Sequence, residues 1–167
     1  MQLILVRHGE AERQTRDDAA RSLTERGQRQ ADWTAQQILA RYQPDHLVVS
    51  PLKRAKQTMQ AFSKRLPNVP LRVIEQIKPD DDAALALAAL AQLQAERPMD
   101  CLLVVCHMNV IAQMAALLLD ARPDAFELAE ARVFEQAVIV PAPILTELSA
   151  ELWRVVPPFF SSSLGSE

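Results

Sequence analysis

The feature that most constrains this chain is a short apolar run that stops abruptly at polar residues. Residues 3–6 read Leu-Ile-Leu-Val and predict a short buried strand, followed directly by Arg7, His8 and Gly9. Parallel α/β sheets bind ligands beyond the carboxyl ends of their strands. A cation, an imidazole and a glycine that lets a ligand approach the backbone therefore suit chemistry on an anion. An ordinary polar loop explains these three residues equally well, so the rest of the chain has to decide.

Two further apolar runs alternate with helical patterns, as expected for strands joined by crossover helices. The runs are residues 46–49 and 101–106, and the second is the most apolar. Thr24 is a predicted N-cap for a helix through about residue 42, and Ser50 is a predicted cap for the next helix. The remaining predicted elements are a strand at 71–74, helices at about 83–96 and 108–119, and strands at 134–140 and 145–156.

Two more candidate residues follow predicted strands, Arg54 and His107. Lys53, Arg54 and Lys56 crowd the positive end of a helix dipole, where acidic residues are favoured. Cations at a helix N-terminus that directly follows a strand's carboxyl end indicate a site for an anion. A solvated basic face explains Lys53 and Lys56, whereas we interpret Arg54 as functional. His107 alone would be read as structural, but it is placed like His8, which favours a functional role.

Two arginines and two histidines at three strand ends suit a phosphoryl group, since guanidinium groups match phosphate oxygens in planar, bidentate fashion. One neutral imidazole can attack phosphorus while the other donates to an oxygen. A zinc site is disfavoured, because the arginines repel a cation and no His-x-x-x-His spacing exists. A phosphatase loop built on Cys106 would need an arginine at position 112, which is Ala112. No glycine-rich nucleotide loop is present.

Composition bounds the other possibilities. The 167 residues suit one domain, which we place at residues 1–160, with 161–167 as a loose tail. The net charge of −3 argues against nucleic acid as the main partner. We recognise no targeting segment and no membrane span, so we expect a cytoplasmic protein. Cys101 and Cys106 would point to opposite faces of a strand and could not bridge each other.

The motifs occur in an order that resembles the histidine phosphatase superfamily, which has the phosphoglycerate mutase-like fold. They are Arg7-His8-Gly9, the segment 23–27 (Leu-Thr-x-x-Gly), the segment 50–58 (Ser-Pro-Leu-x-Arg-Ala-x-Gln-Thr), and a strand ending in His107. The short, direct layout looks like the SixA-type phosphohistidine phosphatases. The resemblance covers residues 3 to about 115 and implies an α/β fold, a three-layer α/β/α sandwich with a mostly parallel central sheet.

The resemblance also implies the site. His8 would be the nucleophile, forming a phosphohistidine intermediate, and Arg7, Arg54 and His107 would complete the phosphate pocket. Arg21 lies where SixA-like chains also carry arginine, so it is a candidate substrate contact. No metal and no cofactor are expected. The superfamily's general acid has no clear counterpart here; the candidates are Glu75 and the aspartates at 80–82.

A weak or missing general acid favours a substrate whose leaving group departs without being protonated by the enzyme. A serine alkoxide needs a proton to leave, whereas the imidazole of phosphohistidine leaves readily when its other nitrogen is protonated. The segments 13–22 and 67–82 are short, which predicts an open pocket that admits a phosphorylated side chain of a partner protein. We therefore expect a phosphatase for phosphohistidine in proteins. A small-metabolite phosphatase, a mutase and a non-catalytic phosphate-binding module remain alternatives.

Overall fold

A single mixed sheet with helices on both faces forms the body of the molecule. This computed structural model describes residues 1–13, 16–136, 139 and 150–160, so the predicted tail at 161–167 lies outside the described residues. The strands are β1 (Gln2–Arg7), β2 (His46–Val49), β3 (Leu71–Val73), β4 (Cys101–Cys106), β5 (Ala131–Glu135) and β6 (Ala150–Val155). The helices are α1 (Glu25–Leu39), α2 (Lys53–Ser63), α3 (Ala83–Glu96) and α4 (Val110–Leu119), with short 3-10 helices at Asp18–Ala20 and Glu75–Ile77.

The strand order is β3-β2-β4-β1-β5-β6. The first four strands in that order run parallel, whereas β5 is antiparallel to β1 and β6 to β5. The predicted mostly parallel sheet is therefore corrected to a mixed one. After α4 the chain returns to the carboxyl end of β1, where the Ala129 amide donates to the His8 carbonyl at 3.0 Å. The next strand starts at that end and has to run in the opposite direction.

The C-terminal strands also differ from prediction in position. The strand expected at 134–140 is β5 and begins three residues earlier, at Ala131. The expected strand at 145–156 is β6 over the residues described there, and positions 145–149 lie outside them. The early start of β5 was not predicted because it includes Arg132, and charged side chains are seldom placed in a buried strand. In the structure, Arg132 is only 3% exposed.

Alternation along the strands divides the core into two layers, which confirms the predicted three-layer sandwich. Leu3 and Leu5 of β1 belong to the apolar cluster that contains α3 and α4. Ile4 and Val6 belong to the cluster that contains α1 and α2. Cys101 and Cys106 are likewise divided between the two clusters, and both thiols are free and buried. In the described part of the chain, no helix is both long and apolar enough to cross a bilayer.

Of the two predicted helix caps, Thr24 is confirmed and Ser50 is not. The Thr24 hydroxyl accepts from the Gly27 amide at 3.0 Å, and the Asp82 carboxylate accepts from the amides of Ala84 and Leu85. The prediction for Ser50 was wrong, because α2 begins at Lys53 without a side-chain cap. The Ser50 hydroxyl is instead bonded to His107.

Gly27 allows α1 to touch the loop that follows β1. A Cβ atom on Gly27 would lie 2.0 Å from the carbonyl oxygen of Glu10, and one on Gly9 would lie 2.5 Å from the carbonyl oxygen of Gly27. Both neighbours are backbone atoms, which cannot move to make room in the way that a flexible side chain can. The glycines of two sequence motifs thus meet in one close backbone contact beside His8.

We predict that Gly27→Ala destabilises the protein, although alanine in a helix is ordinarily better than glycine by about 1 kcal/mol. The clash with Glu10 should outweigh that gain and lower the free energy of unfolding by about 1–3 kcal/mol, the usual cost of overpacking. Denaturant unfolding measures the change. Gln28→Ala, on the exposed side of the same turn, is the control and should leave stability nearly unchanged. A Gly27→Ala protein as stable as the wild type would contradict the close contact.

Candidate active site

The site forms where three neighbouring parallel strands end. In the sheet, β4 lies between β1 and β2, and Arg7 pairs with Cys106 while Val49 pairs with Val105. The backbone bonds continue one residue further, since the His8 amide donates to the Cys106 carbonyl at 3.1 Å and the Ser50 amide to the Val105 carbonyl at 3.2 Å. The residues after these strands therefore share one edge of the sheet, as predicted for His8 and His107.

His8 is held in one tautomer by its neighbour. Its Nδ1 lies 2.7 Å from the Gly9 carbonyl oxygen, which can only accept, so Nδ1 carries the proton and Nε2 of the neutral ring keeps its lone pair. The side chain is 7% exposed. Burial lowers the pKa of His8 to about 4, with further lowering by the charges of Arg54, Arg7 and Arg21 against the raising effect of the Gly9 bond. The ring is therefore neutral at neutral pH, as a nucleophile must be.

His107 faces His8 with its ring centroid 5.1 Å away and is fully buried. Its Nε2 lies 2.7 Å from the Ser50 hydroxyl, whose oxygen accepts from the Leu52 amide at 3.3 Å. The hydroxyl hydrogen of a buried serine needs an acceptor, and Nε2 is the one at hand. Nδ1 then carries the ring proton and has no partner among the described residues. Burial, then the charges of His8 and Arg54, lower the pKa of His107 to about 2.

Two guanidinium groups complete the pocket. Arg7 donates from Nη1 to the Phe126 carbonyl at 2.7 Å, and Arg54 donates from both Nη atoms to Asp18. In the described part of the chain, the Nε atoms of both arginines are buried and lack a partner. Together with Nδ1 of His107, three buried nitrogens close to His8 have no acceptor. Buried donors are normally satisfied, and an oxyanion would supply the acceptors that these nitrogens lack.

The basic residues at the start of α2 divide as the sequence predicted. Arg54 is 3% exposed, whereas Lys53 and Lys56 are exposed to solvent. Lys53 and Lys56 therefore form the solvated face of the helix, and Arg54 is the cation that is buried at this helix end.

Motif residues that sequence reasoning left without a role hold the loops around the pocket. The Thr58 hydroxyl accepts from the Gly9 amide at 3.1 Å and donates to the Arg54 carbonyl at 2.9 Å. The Gln57 amide oxygen accepts from the Leu23 amide at 2.6 Å. Both residues belong to the motif at 50–58, so their place in that motif was the available signal.

A second group was missed because it lies far away in sequence. Arg132 of β5 stacks on the Phe126 ring at 3.8 Å and donates to the Ala125 carbonyl and to the fully buried Glu130 carboxylate. These contacts order the segment whose Phe126 carbonyl accepts from Arg7. No local pattern in residues 120–135 indicates this, because the contact with Arg7 spans more than a hundred residues.

The other predicted residues occupy different positions. Arg21 shares the Asp18 carboxylate with Arg54, and its charge contributes to the lowered pKa of both histidines. Of the candidate acids, Asp81 accepts from the Lys78 amide, Asp82 caps α3, and Glu75 has a side chain 71% exposed. Among the described residues, no three His, Cys, Asp or Glu side chains form a cluster that could hold a metal ion.

Comparison with known proteins gives the family. The model of the histidine phosphatase superfamily (branch 1) matches residues 3–81. The phosphohistidine phosphatase SixA homolog of Haemophilus influenzae is 33% identical over 132 residues, which cover 73% of this chain and 79% of that protein. Mitochondrial serine/threonine-protein phosphatase PGAM5 of Xenopus tropicalis is 28% identical over 149 residues, covering 74% of this chain and 54% of the relative. The chain thus spans about half the length of the PGAM5 relatives.

Solved structures confirm the fold predicted from the motifs. The protein histidine phosphatase SixA, complexed with tungstate, superposes with a TM-score of 0.80 over 93% of this chain and 97% of that chain, at 24% sequence identity. The identity to the Haemophilus homolog, spread over most of its length, is the stronger evidence of common descent, and the family model spans Arg7, His8 and Arg54. This chain belongs to the histidine phosphatase superfamily, as its motifs had indicated.

Proposed function

We propose that this chain is a metal-independent phosphatase that removes phosphoryl groups from phosphohistidine in a partner protein, through a phosphohistidine intermediate on His8. The observation that carries the proposal is the single free lone pair on Nε2 of His8, beside three buried nitrogens without partners. A nucleophile and unsatisfied donors in one pocket match the needs of phosphoryl transfer, which depends on positioning and charge stabilisation.

In the first step, Nε2 of His8 attacks phosphorus in line. The P–N bond of the substrate breaks, and its electron pair stays on an imidazole that leaves neutral because its other nitrogen already carries a proton. Arg7 and Arg54 stabilise the charge on the phosphoryl oxygens through their free N–H groups, and Nδ1–H of His107 donates to one of these oxygens.

In the second step, water attacks the phosphorus of phosphorylated His8 and breaks the P–Nε2 bond. The proton that His8 shares with the Gly9 carbonyl stays on Nδ1 throughout. His8 therefore leaves as a neutral imidazole, and inorganic phosphate is released. One backbone hydrogen bond thus supports the histidine first as nucleophile and then as leaving group.

The contacts of the acidic residues support phosphohistidine over phosphoserine. Asp81 and Asp82 serve backbone amides. The Arg21 side chain, hydrogen-bonded to Asp18, lowers the pKa of that carboxyl, so Asp18 is ionised at neutral pH and does not supply a proton. With these three carboxylates engaged in other contacts, the site lacks an acid poised to protonate an alkoxide at these positions, which favours an imidazole leaving group.

An open groove beside Asp18 supports a protein substrate. A surface groove of about 450 Å³ runs beside Asp18, between segments 17–19 and 78–81. Among the curated relatives, PGAM5 is named a serine/threonine-protein phosphatase and the Haemophilus homolog a phosphohistidine phosphatase. The difference between those two names defines the experiment that tests the proposal.

The test compares release of phosphate from a phosphohistidine-bearing protein, from a phosphoserine peptide and from a panel of small phosphate esters. We expect turnover of the phosphohistidine protein to exceed that of the peptide by about 100-fold or more, because only the alkoxide needs an acid. Comparable turnover of phosphoserine would contradict the leaving-group argument. Turnover of a small ester alone would favour a metabolite phosphatase, and binding of phosphate without any turnover would favour a binding module.

A further inference from the structure

Asp18 holds two arginines at the edge of the pocket. It lies in the 3-10 helix Asp18–Ala20, where its carbonyl oxygen accepts from Nη1 of Arg54 at 2.9 Å. One carboxylate oxygen, Oδ2, lies 3.2 Å from Nη2 of Arg54, and the other, Oδ1, lies 3.0 Å from Nη1 of Arg21. A single residue thus uses three oxygens to hold two guanidinium groups.

Arg54 depends on this contact because its side chain is only 4% exposed. Burying an unpaired guanidinium group is costly, and a counterion with hydrogen bonds offsets much of that penalty. In the described part of the chain, Asp18 supplies the carboxylate within 4.0 Å of Arg54. With both Nη atoms bonded to Asp18, the plane of the guanidinium group is set and its buried Nε remains without an acceptor.

Arg21 is oriented by the same carboxylate. Its Nε donates to the Glu12 carbonyl at 2.7 Å, and its Nη1 donates to Asp18. These two bonds together fix the orientation of the guanidinium group. The Arg21 side chain remains 21% exposed. Two points of attachment fix a long side chain that would otherwise sample several rotamers near the surface.

We propose that Asp18 is a positioning residue that aligns Arg54 and Arg21 so that their remaining N–H groups face a phosphoryl group bound at His8. This inference rests on the proposed function. Asp18 acts through the two arginines and does not itself touch the substrate. Its side chain is 42% exposed, so its replacement opens no cavity in the core.

The test uses Asp18→Asn, Asp18→Glu and the control Asp17→Asn. Asparagine has the shape of aspartate but turns an NH₂ group toward one of the arginines, where two donors face each other. Glutamate keeps the charge. Asp17, which caps the same 3-10 helix by accepting from the Ala19 amide, loses the same single charge in the control variant. Three quantities are measured: affinity for orthovanadate, the single-turnover rate of phosphoenzyme formation from radiolabelled phosphoramidate, and melting temperature.

We expect Asp18→Asn to slow phosphoenzyme formation by about 10- to 100-fold, the scale of loss when a charged group near the reacting atoms is misplaced. Orthovanadate affinity should fall with it. The melting temperature should fall below that of Asp17→Asn, because buried Arg54 loses its counterion, so rates and affinities are measured well below both melting temperatures. Asp18→Glu should recover part of the rate, and Asp17→Asn should stay within about twofold of the wild type, since it leaves both arginine contacts intact.

Two results would overturn the proposal: an Asp18→Asn protein equal to the wild type in rate and orthovanadate affinity, or an Asp17→Asn protein as impaired as Asp18→Asn. The second would mean that the 3-10 helix matters and the carboxylate does not. If the wild type binds orthovanadate but is never labelled, the proposed function fails, and the orthovanadate affinities alone decide the role of Asp18. If the wild type neither binds nor is labelled, both proposals fail.

Discussion

Replacing His8 with alanine is expected to abolish the phosphoenzyme. No other group offers a free imidazole lone pair in the pocket, because Nε2 of His107 is bonded to Ser50. Removal of a covalent nucleophile lowers turnover by about 10⁴- to 10⁶-fold in enzymes where it has been dissected. The readout is incorporation of label from radiolabelled phosphoramidate, with the acid lability and alkali stability that distinguish phosphohistidine from a phosphate ester.

The matched control is His46→Ala. The chain has three histidines, and His46 lies at the start of β2, bonded to the neighbouring Asp45 carboxylate at 2.9 Å. Labelling of this variant should equal that of the wild type. Label retained in the His8→Ala protein would show that a different residue accepts the phosphoryl group, and the mechanism proposed for His8 would have to be abandoned.

Arg54→Lys is expected to lower kcat/KM by about 10²–10³-fold, the cost of losing a main donor to a developing oxyanion. The substitution keeps the charge but removes the fork. Arg54 bonds Asp18 through Nη1 and Nη2, and in the proposed function its Nε donates to the phosphoryl group, three tasks that one ammonium group cannot perform together. Steady-state hydrolysis of a phosphohistidine-bearing protein measures the loss.

Lys53→Ala and Lys56→Ala are the controls for this prediction, because both side chains are exposed on the same helix. Each should stay within about twofold of the wild type, since exposed charges contribute little at a distance in salt. An Arg54→Lys enzyme that keeps more than about a tenth of the wild-type kcat/KM would contradict the role given to the guanidinium fork. Equal losses in all three variants could not come from charge, which Arg54→Lys keeps, and would indicate a general disturbance of α2.

The main part of the pocket could be predicted because it follows from a rule about strands. His8 and His107 each come directly after an apolar run, and the carboxyl ends of parallel strands share one edge of a sheet. Arg54 was recognisable as a cation placed where a helix disfavours one. These inferences need only local sequence and the topology of parallel strands, and the structure brings all three residues together.

The remainder depends on partners that no local pattern reveals. Ser50 suits a helix cap by residue type, and only the position of His107 on another strand explains why its hydroxyl is bonded there. Asp18 reads as one more polar residue of an exposed loop until Arg54 is placed beside it. The early start of β5 could not be predicted either, because Arg132 is tolerated in the interior through its contact with Glu130.

The pairing of β1 with β4 has a consequence for how this chain can change in length. His8 and His107 face each other because Arg7 pairs with Cys106, and each histidine is the next residue along its strand. Loss of one residue within either strand would turn the following side chains to the opposite face of the sheet and separate the two rings. Insertions and deletions should therefore be tolerated in the connecting loops and excluded from these strands. The register of β1 against β4 thus specifies both the packing of the core and the position of the two histidines, so a change in one changes the other.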